Sequence, residues 1–406
     1  MDSTRIAGIV MECNPFHQGH QYILSQARAV THAAAVLVVM SGDYVQRGIP
    51  AVFSKELRAR TLLNSGADLV LELPVKYAVS SAEAFACASV SILTRLGIVT
   101  DLVFGSESGD LERLLSAASF LNDEPEDYRR LLRRHLSAGL SFPAARERAA
   151  AECSAHVQLS AAANDILGTE YLKALLPSLS LQPHAIPRIR TASATERRRV
   201  LEISKDASCL FPDDFSDLLL GKLLDICHPQ PGGRHPACQH PFAAYDGISP
   251  DFSDRIERLL PEFISWTQFC RVLKAKNMTY SAVSRAMMHI LLGIRKATPD
   301  EGVSAAAGTA SCSSCTQKPV PDYVRILGCR KEAASLIGRI CRNSDGLAIV
   351  TGLSENPHHL SDGLRQDLYA SELYDYVARR KQYGKILPAD RSAGRISEYS
   401  KPFLLL

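Results

Sequence analysis

From Arg5 to about Ile189 short apolar runs alternate with amphipathic segments, and this alternation constrains the fold more than any other feature of the chain. It argues for a parallel sheet with crossover helices. The strand candidates are Ile6 to Met11, Ala35 to Met40, Leu69 to Leu73, Leu102 to Phe104 and a segment around Ala185 to Ile189. Helices between them carry punctuation: Ser54 can cap one that ends at Gly66, and Ser80 or Ser81 another that ends at Gly97. Each glycine suits a left-handed C-terminal position, and Pro143 fits the first turn of a further helix. The fold class expected is α/β, a Rossmann-like parallel-sheet domain followed by a mainly helical region.

The first strand runs directly into Asn14-Pro15-Phe16-His17-Gln18-Gly19-His20, which in turn precedes a helical pattern. Ligands of open α/β sheets bind at the C-terminal ends of strands, where this motif sits. Unpaired N–H groups and the positive end of the helix dipole favour an anion there. His17 and His20, three residues apart across the helix start, face one pocket, and Gly19 lets a bulky ligand approach the backbone. Imidazoles in that position can donate to phosphoryl oxygens as charge develops, which points to nucleotidyl transfer. Taken alone, His-x-Gly-His is equally compatible with a plain helix start; its place at a strand end gives it weight.

Beyond Arg199 the strand signals fade and helices dominate, notably Asp214 to Cys227, Asp251 to Leu260 and Ser281 to Ile294. The expected organisation is a nucleotide-binding catalytic domain over 1–200, a helical domain over 201–295, a flexible insertion over 296–320 and a small C-terminal subdomain over 321–406. The insertion is read from small residues without periodicity, Ala305 to Ser311. In the last part, Tyr323 to Gly328 and Gly346 to Thr351 read as short apolar segments.

Composition is that of an ordinary soluble protein: 406 residues, 46% hydrophobic, 22% charged, formal net charge +3. No apolar run reaches membrane-spanning length and the first residues lack a secretory pattern, so the chain is read as cytoplasmic with no membrane partner. Eleven cysteines scattered through it, some inside apolar segments such as Ala84 to Ala88, read as reduced core residues. Cys227, His228, His235, Cys238 and His240 crowd one loop and Cys312 and Cys315 another, but neither has the regular spacing of a structural zinc site, and no metal site is assigned.

Three stretches carry a resemblance: Glu12 to His20, then Met40-Ser41-Gly42-Asp43-Tyr44-Val45-Gln46-Arg47-Gly48, then Gly66 to Pro74. Together they resemble the bacterial tRNA(Met) cytidine acetate ligases of the HIGH-motif nucleotidyltransferase superfamily. The likeness continues in order through Ser81-Ala82-Glu83, Phe104-Gly105-Ser106-Glu107 and Asn164 to Leu172, and more weakly at Tyr280 to Gly293 and Tyr323 to Gly328. Two departures stand out: Cys13 where the family has an aromatic residue, and a shortened connection from Ile189 to Ala192.

The resemblance implies a reaction in two halves. Acetate attacks the α-phosphate of ATP, giving acetyl-adenylate and pyrophosphate, and the wobble cytidine of elongator tRNA(Met) then takes the acetyl group as N4-acetylcytidine. It implies His17 and His20 as catalytic, and an ATP site of Val10, Met11, Glu12, Asn14, Phe16, His17, Gly19, His20, Gly105, Asn164 and Arg188, with Mg2+ accompanying the nucleotide and no organic cofactor. Gly105 is otherwise a turn glycine, Asn164 a helix cap and Arg188 an exposed strand-end charge. Ser193 to Arg199 resembles the second superfamily motif, a turn that clamps the leaving phosphates, with Arg198 favoured over Arg197 and Arg199. For tRNA, Lys274, Lys276 and Arg285 beside Tyr280 offer phosphate-binding cations and a stacking ring, though a solvated helix face has equal standing from sequence. Two other readings stay open: an adenylyltransferase or ligase acting on a small molecule, and a noncatalytic module that binds ATP and tRNA.

Overall fold

Strands that are apolar throughout need cover on both faces. The computed structural model, which describes residues 4–154, 157–178, 180–189, 194–204, 206–228, 239–296, 320–353, 360–384 and 398–406, shows where that cover comes from. The first-half strands are β1 (Ile6–Met11), β2 (Ala35–Ser41), the short pair β3 (Tyr44–Val45) and β4 (Ile49–Pro50), β5 (Leu69–Leu73), β6 (Asp101–Ser106) and β7 (Gln182–Pro187). Later ones are β8 (Tyr323–Cys329), β9 (Ala348–Val350) and β10 (Leu404–Leu405). They form an eight-stranded sheet in the order β10-β8-β5-β2-β1-β6-β7, with β9 on β8, and a separate antiparallel hairpin of β3 and β4. Every pairing in the large sheet is parallel except β5 with β8.

Helices of the first half are α1 (Gln18–Thr31), α2 (Lys55–Asn64), α3 (Val75–Ala78), α4 (Ala82–Arg95), α5 (Leu111–Asp123), α6 (Glu126–Ser137), α7 (Phe142–Cys153), α8 (Ala163–Leu175) and α9 (Ala194–Ser204). Period-two alternation along β2 divides the core. Val36, Val38 and Met40 join Leu24 of α1 and Leu62 of α2 on one face. Leu37 and Val39 join Leu93 of α4 and Leu172 of α8 on the other. Caps fall where the sequence places them: the side chains of Ser54 and Ser81 accept the N–H groups of Leu57 and Ala84, and Gly66 and Gly97 have φ of +108° and +68°.

A second core lies among α10 (Ser216–Cys227), α11 (Pro250–Leu259), α12 (Trp266–Leu273) and α13 (Tyr280–Leu292). Trp266, Phe269, Met287 and Phe215 are fully buried there. The same cluster takes in Tyr44 of β3, Val75 and Val79 from the first half, and Ala370, Tyr374 and Val377 of α15 (Asp362–Tyr383). Helical packing is therefore continuous with the sheet domain.

From the expected C-terminal subdomain, strands β8, β9 and β10 extend the first sheet, while α14 (Ser335–Asn343) contributes Leu336 and Ile340 to the core beneath it. Charge fastens the rest: Lys55 Nζ, fully buried at the start of α2, lies 2.9 Å from Glu72 of β5, 3.1 Å from Glu398 and 2.7 Å from the Ser371 hydroxyl of α15. Arg325 of β8 reaches Glu398 at 2.6 Å, and Tyr323 donates to Asp367 of α15 at 2.5 Å. An apolar segment of seven residues can be a lone strand or a sheet edge, and only the pairing with β5 decides.

Residues 297–319 of the expected insertion, with Cys312 and Cys315, lie outside the described residues, as do 229–238 of the Cys/His-rich loop and Ser193 of the second motif. Among the described residues, no helix is long and apolar enough to cross a membrane, and no group of three His, Cys, Asp or Glu side chains is placed to hold a metal ion.

Candidate active site

The site is assembled at the C-terminal ends of β1, β6 and β7 around the start of α1. Cys13 takes φ of +50° after β1, and the chain turns through Asn14-Pro15 into His17, the N-cap of α1. Here the two histidines do what Ser and Glu do in a capping box. His17 Nδ1 accepts the N–H of Gly19 (3.0 Å), and His20 Nδ1 accepts the N–H of His17 (3.2 Å). Their rings stack with centroids 3.8 Å apart, and Phe16 lies against His20 at 5.6 Å.

Because both Nδ1 atoms accept, a neutral ring must carry its proton on Nε2, as a donor. Burial, together with the charges of Arg197 and Arg188, lowers the His17 pKa to about 4. Burial, the neighbouring His17 and the same two arginines lower that of His20 to about 3. At neutral pH the pair is uncharged, a state the sequence does not specify.

Gly105, next to last in β6, faces α1: a Cβ there would stand 2.8 Å from Ile23. The Ile23 atom is the tip of its side chain, so Gly105 marks where α1 lies close against the sheet. One residue past β6, Glu107 gathers two of the predicted nucleotide residues. Its carboxylate accepts the backbone N–H (3.1 Å) and side-chain amide (2.8 Å) of Asn164 and the N–H of Asp165 (3.0 Å), and it pairs with Arg188 at 3.1 Å. Asn164 is not the N-cap of α8; Glu107 caps that helix from another loop. Asp165 completes the joint by accepting from Ser106 Oγ (2.5 Å) and the N–H of Glu107 (2.9 Å). Glu107 was legible as part of a motif but not as a link, since nothing local shows that residues 107, 164 and 188 meet.

On the opposite side, Arg198 of α9 donates to the backbone oxygen of Asn14 (2.6 Å) and to Thr195 Oγ1 (3.0 Å). Arg197 also faces the site, through its effect on both imidazoles, whereas Arg199 is exposed. Glu12 is held by the N–H of Gln46 on its Oε1 (2.6 Å), and burial raises its pKa against the pull of Arg47, Arg198 and Arg58. Arg58 is a structural cation, donating to the carbonyls of Glu12, Ser41, Gly42 and Phe53. Val10 is half-buried and Met11 buried at the end of β1.

Away from this cleft, Lys274 and Lys276 are exposed after α12, but Arg285 is not free. It donates to the Gln46 carbonyl (3.4 Å) from a half-buried position on α13. That contact ties α13 to the β3–β4 hairpin, a meeting that sequence could not show.

A family model described as HIGH Nucleotidyl Transferase matches residues 4–208 and 236–386. The tRNA(Met) cytidine acetate ligase of Fervidobacterium nodosum is 31% identical over 97% of this chain and 98% of its own length. That of Caldanaerobacter subterraneus subsp. tengcongensis is 32% identical over 93% and 97%. Among solved structures, Thermotoga maritima TmcAL bound with alpha-thio ATP superposes with a TM-score of 0.76 at 28% identity, covering 92% of this chain and 95% of that one.

Proposed function

The chain belongs to the tRNA(Met) cytidine acetate ligase family of HIGH nucleotidyl transferases, and from that premise we propose that it uses ATP to ligate acetate to the wobble cytidine of elongator tRNA(Met), forming N4-acetylcytidine. The observation that carries the chemistry is the stacked pair of neutral imidazoles locked by backbone N–H groups at the start of α1. An acetate oxygen attacks the α-phosphorus, the bond to the bridging oxygen breaks, and pyrophosphate leaves. Nε2–H groups of His17 and His20 stabilise the charge that builds on the phosphoryl oxygens, and being already oriented they cost no reorganisation. In-line displacement needs positioning and charge stabilisation more than covalent help. Arg197 and Arg198 face the leaving phosphates. Arg188 and Asn164, held by Glu107, and the backbone at Val10 and Met11 form the nucleoside side.

Mg2+ bound to the triphosphate would neutralise part of its charge; the chain's own contribution is the fixed donors and arginines. In the second half, the exocyclic amine of cytidine attacks the acetyl carbonyl, AMP departs and the amine loses a proton. Lys274 and Lys276 are exposed cations on the helical side that can meet RNA phosphates.

Small-molecule and noncatalytic readings are not favoured, because the family match runs through residues 236–386 as well as the sheet domain. Incubation with ATP, labelled acetate and total tRNA, followed by nucleoside analysis, tests the proposal. Labelled N4-acetylcytidine confined to tRNA(Met) is the expected product, and its absence with an ATP-competent enzyme refutes the reading.

A further inference from the structure

The motif Met40 to Gly48 contributes little to the roles assigned so far, yet its hairpin is pinned on every side. The turn Val45 to Gly48 is closed by the Gly48 N–H on the Val45 carbonyl (2.8 Å). Gly48, at φ of +70°, lies so close to α13 that a Cβ would stand 2.4 Å from the Arg285 backbone. Ser284 Oγ donates to the Gly48 carbonyl (2.8 Å), and the Gln46 N–H is held by Glu12. Between these anchors Arg47 is exposed, with neither a hydrogen bond nor a salt bridge among the described residues. Its charge is nevertheless felt at Glu12 and Arg198.

Asn14 supplies the second observation. Its Oδ1 accepts the N–H of Val52 (2.8 Å), just beyond β4, which turns the side chain toward the hairpin. The Nδ2 of the same amide is buried without a partner, in a residue only 3% exposed. An unmade hydrogen bond in such a place is costly unless a ligand completes it.

We propose that Arg47 and the Asn14 amide bind the carboxylate of the acid that is activated, so that the β3–β4 hairpin is the acid-binding wall of the site. The inference rests on the function proposed above. One cation and one neutral donor match a monovalent carboxylate, whereas the adjacent Glu12 carboxylate disfavours a polyanion such as the triphosphate at the same spot.

Full-length Arg47→Gln, Arg47→Lys and Asn14→Asp proteins test it through acetate-dependent exchange of labelled pyrophosphate into ATP. Asn14→Asp keeps the acceptor for Val52 while replacing the donor by a repelling oxygen, and Arg47 is exposed, so its variants fold. The KM for acetate should rise roughly ten- to a hundredfold in Arg47→Gln and Asn14→Asp, the weight of one charge-assisted hydrogen bond, and less in Arg47→Lys. In the two Arg47 variants ATP affinity, titrated without acetate, should stay within about twofold of wild type. An unchanged acetate KM, or weaker ATP or tRNA binding in its place, overturns the assignment while the proposed function stands. A folded wild-type protein that shows no acetate-dependent exchange overturns both.

Discussion

Replacing His20 by Ala separates catalysis from folding, because the structure gives that ring one job in each. As part of the helix cap it accepts the N–H of His17 at 3.2 Å, and as a neutral imidazole it presents Nε2–H to the phosphate site. Losing the cap contact costs about 1 kcal/mol, within the range for N-cap substitutions. In a chain of this length that lowers Tm by no more than about 2–4 °C. Losing one oriented donor to a developing phosphoryl charge costs about 3–4 kcal/mol, or roughly 100- to 1,000-fold in rate. The assay is acetate-dependent exchange of labelled pyrophosphate into ATP, read beside a thermal melt. Exchange within about threefold of wild type would refute the donor role, since a fold-change that small is under 1 kcal/mol. A Tm drop above about 10 °C would show that the ring acts mainly through the fold.

Lys55→Met should destabilise by about 3–5 kcal/mol, because Glu72 and Glu398 are then left buried without their shared cation; a urea titration that finds less than about 1 kcal/mol refutes the network's role. The two histidines make a pH prediction. The unfolded chain protonates them near pH 6.5, whereas the folded one holds them neutral to about 4 and about 3, so the unfolded state binds more protons and stability falls as pH is lowered through that window. Melting across the window should show a shallower fall in the His17→Ala, His20→Ala double variant than in wild type, and equal slopes would refute the neutral assignment. Reversing charge at Lys274 and Lys276 should weaken tRNA binding and flatten its dependence on log salt by about 1–2 units while leaving the exchange reaction intact; an unchanged slope in filter binding would place RNA on another surface.

The sequence by itself determined those parts of the protein whose physics is local. Period and turn chemistry placed β1 and β5 to the residue, and Ser54, Ser81, Gly66 and Gly97 punctuated their helices as predicted. The histidine motif and the ordered resemblances pointed to the nucleotide fold, because short strand–turn–helix units are written contiguously. Tertiary structure decided whatever depends on distant residues meeting. Glu107 joins Asn164 and Arg188 only because β6 and β7 are neighbours in the sheet. Arg285 meets the Gln46 carbonyl of the hairpin because α13 packs on Gly48. Strands β8, β9 and β10 join the sheet because β5 has an edge left to pair, and Glu398 comes with them to meet buried Lys55. Even the charge state of His17 and His20 belongs to this second class, for burial and the arrival of Arg188 and Arg197 set it, and neither is visible along the chain.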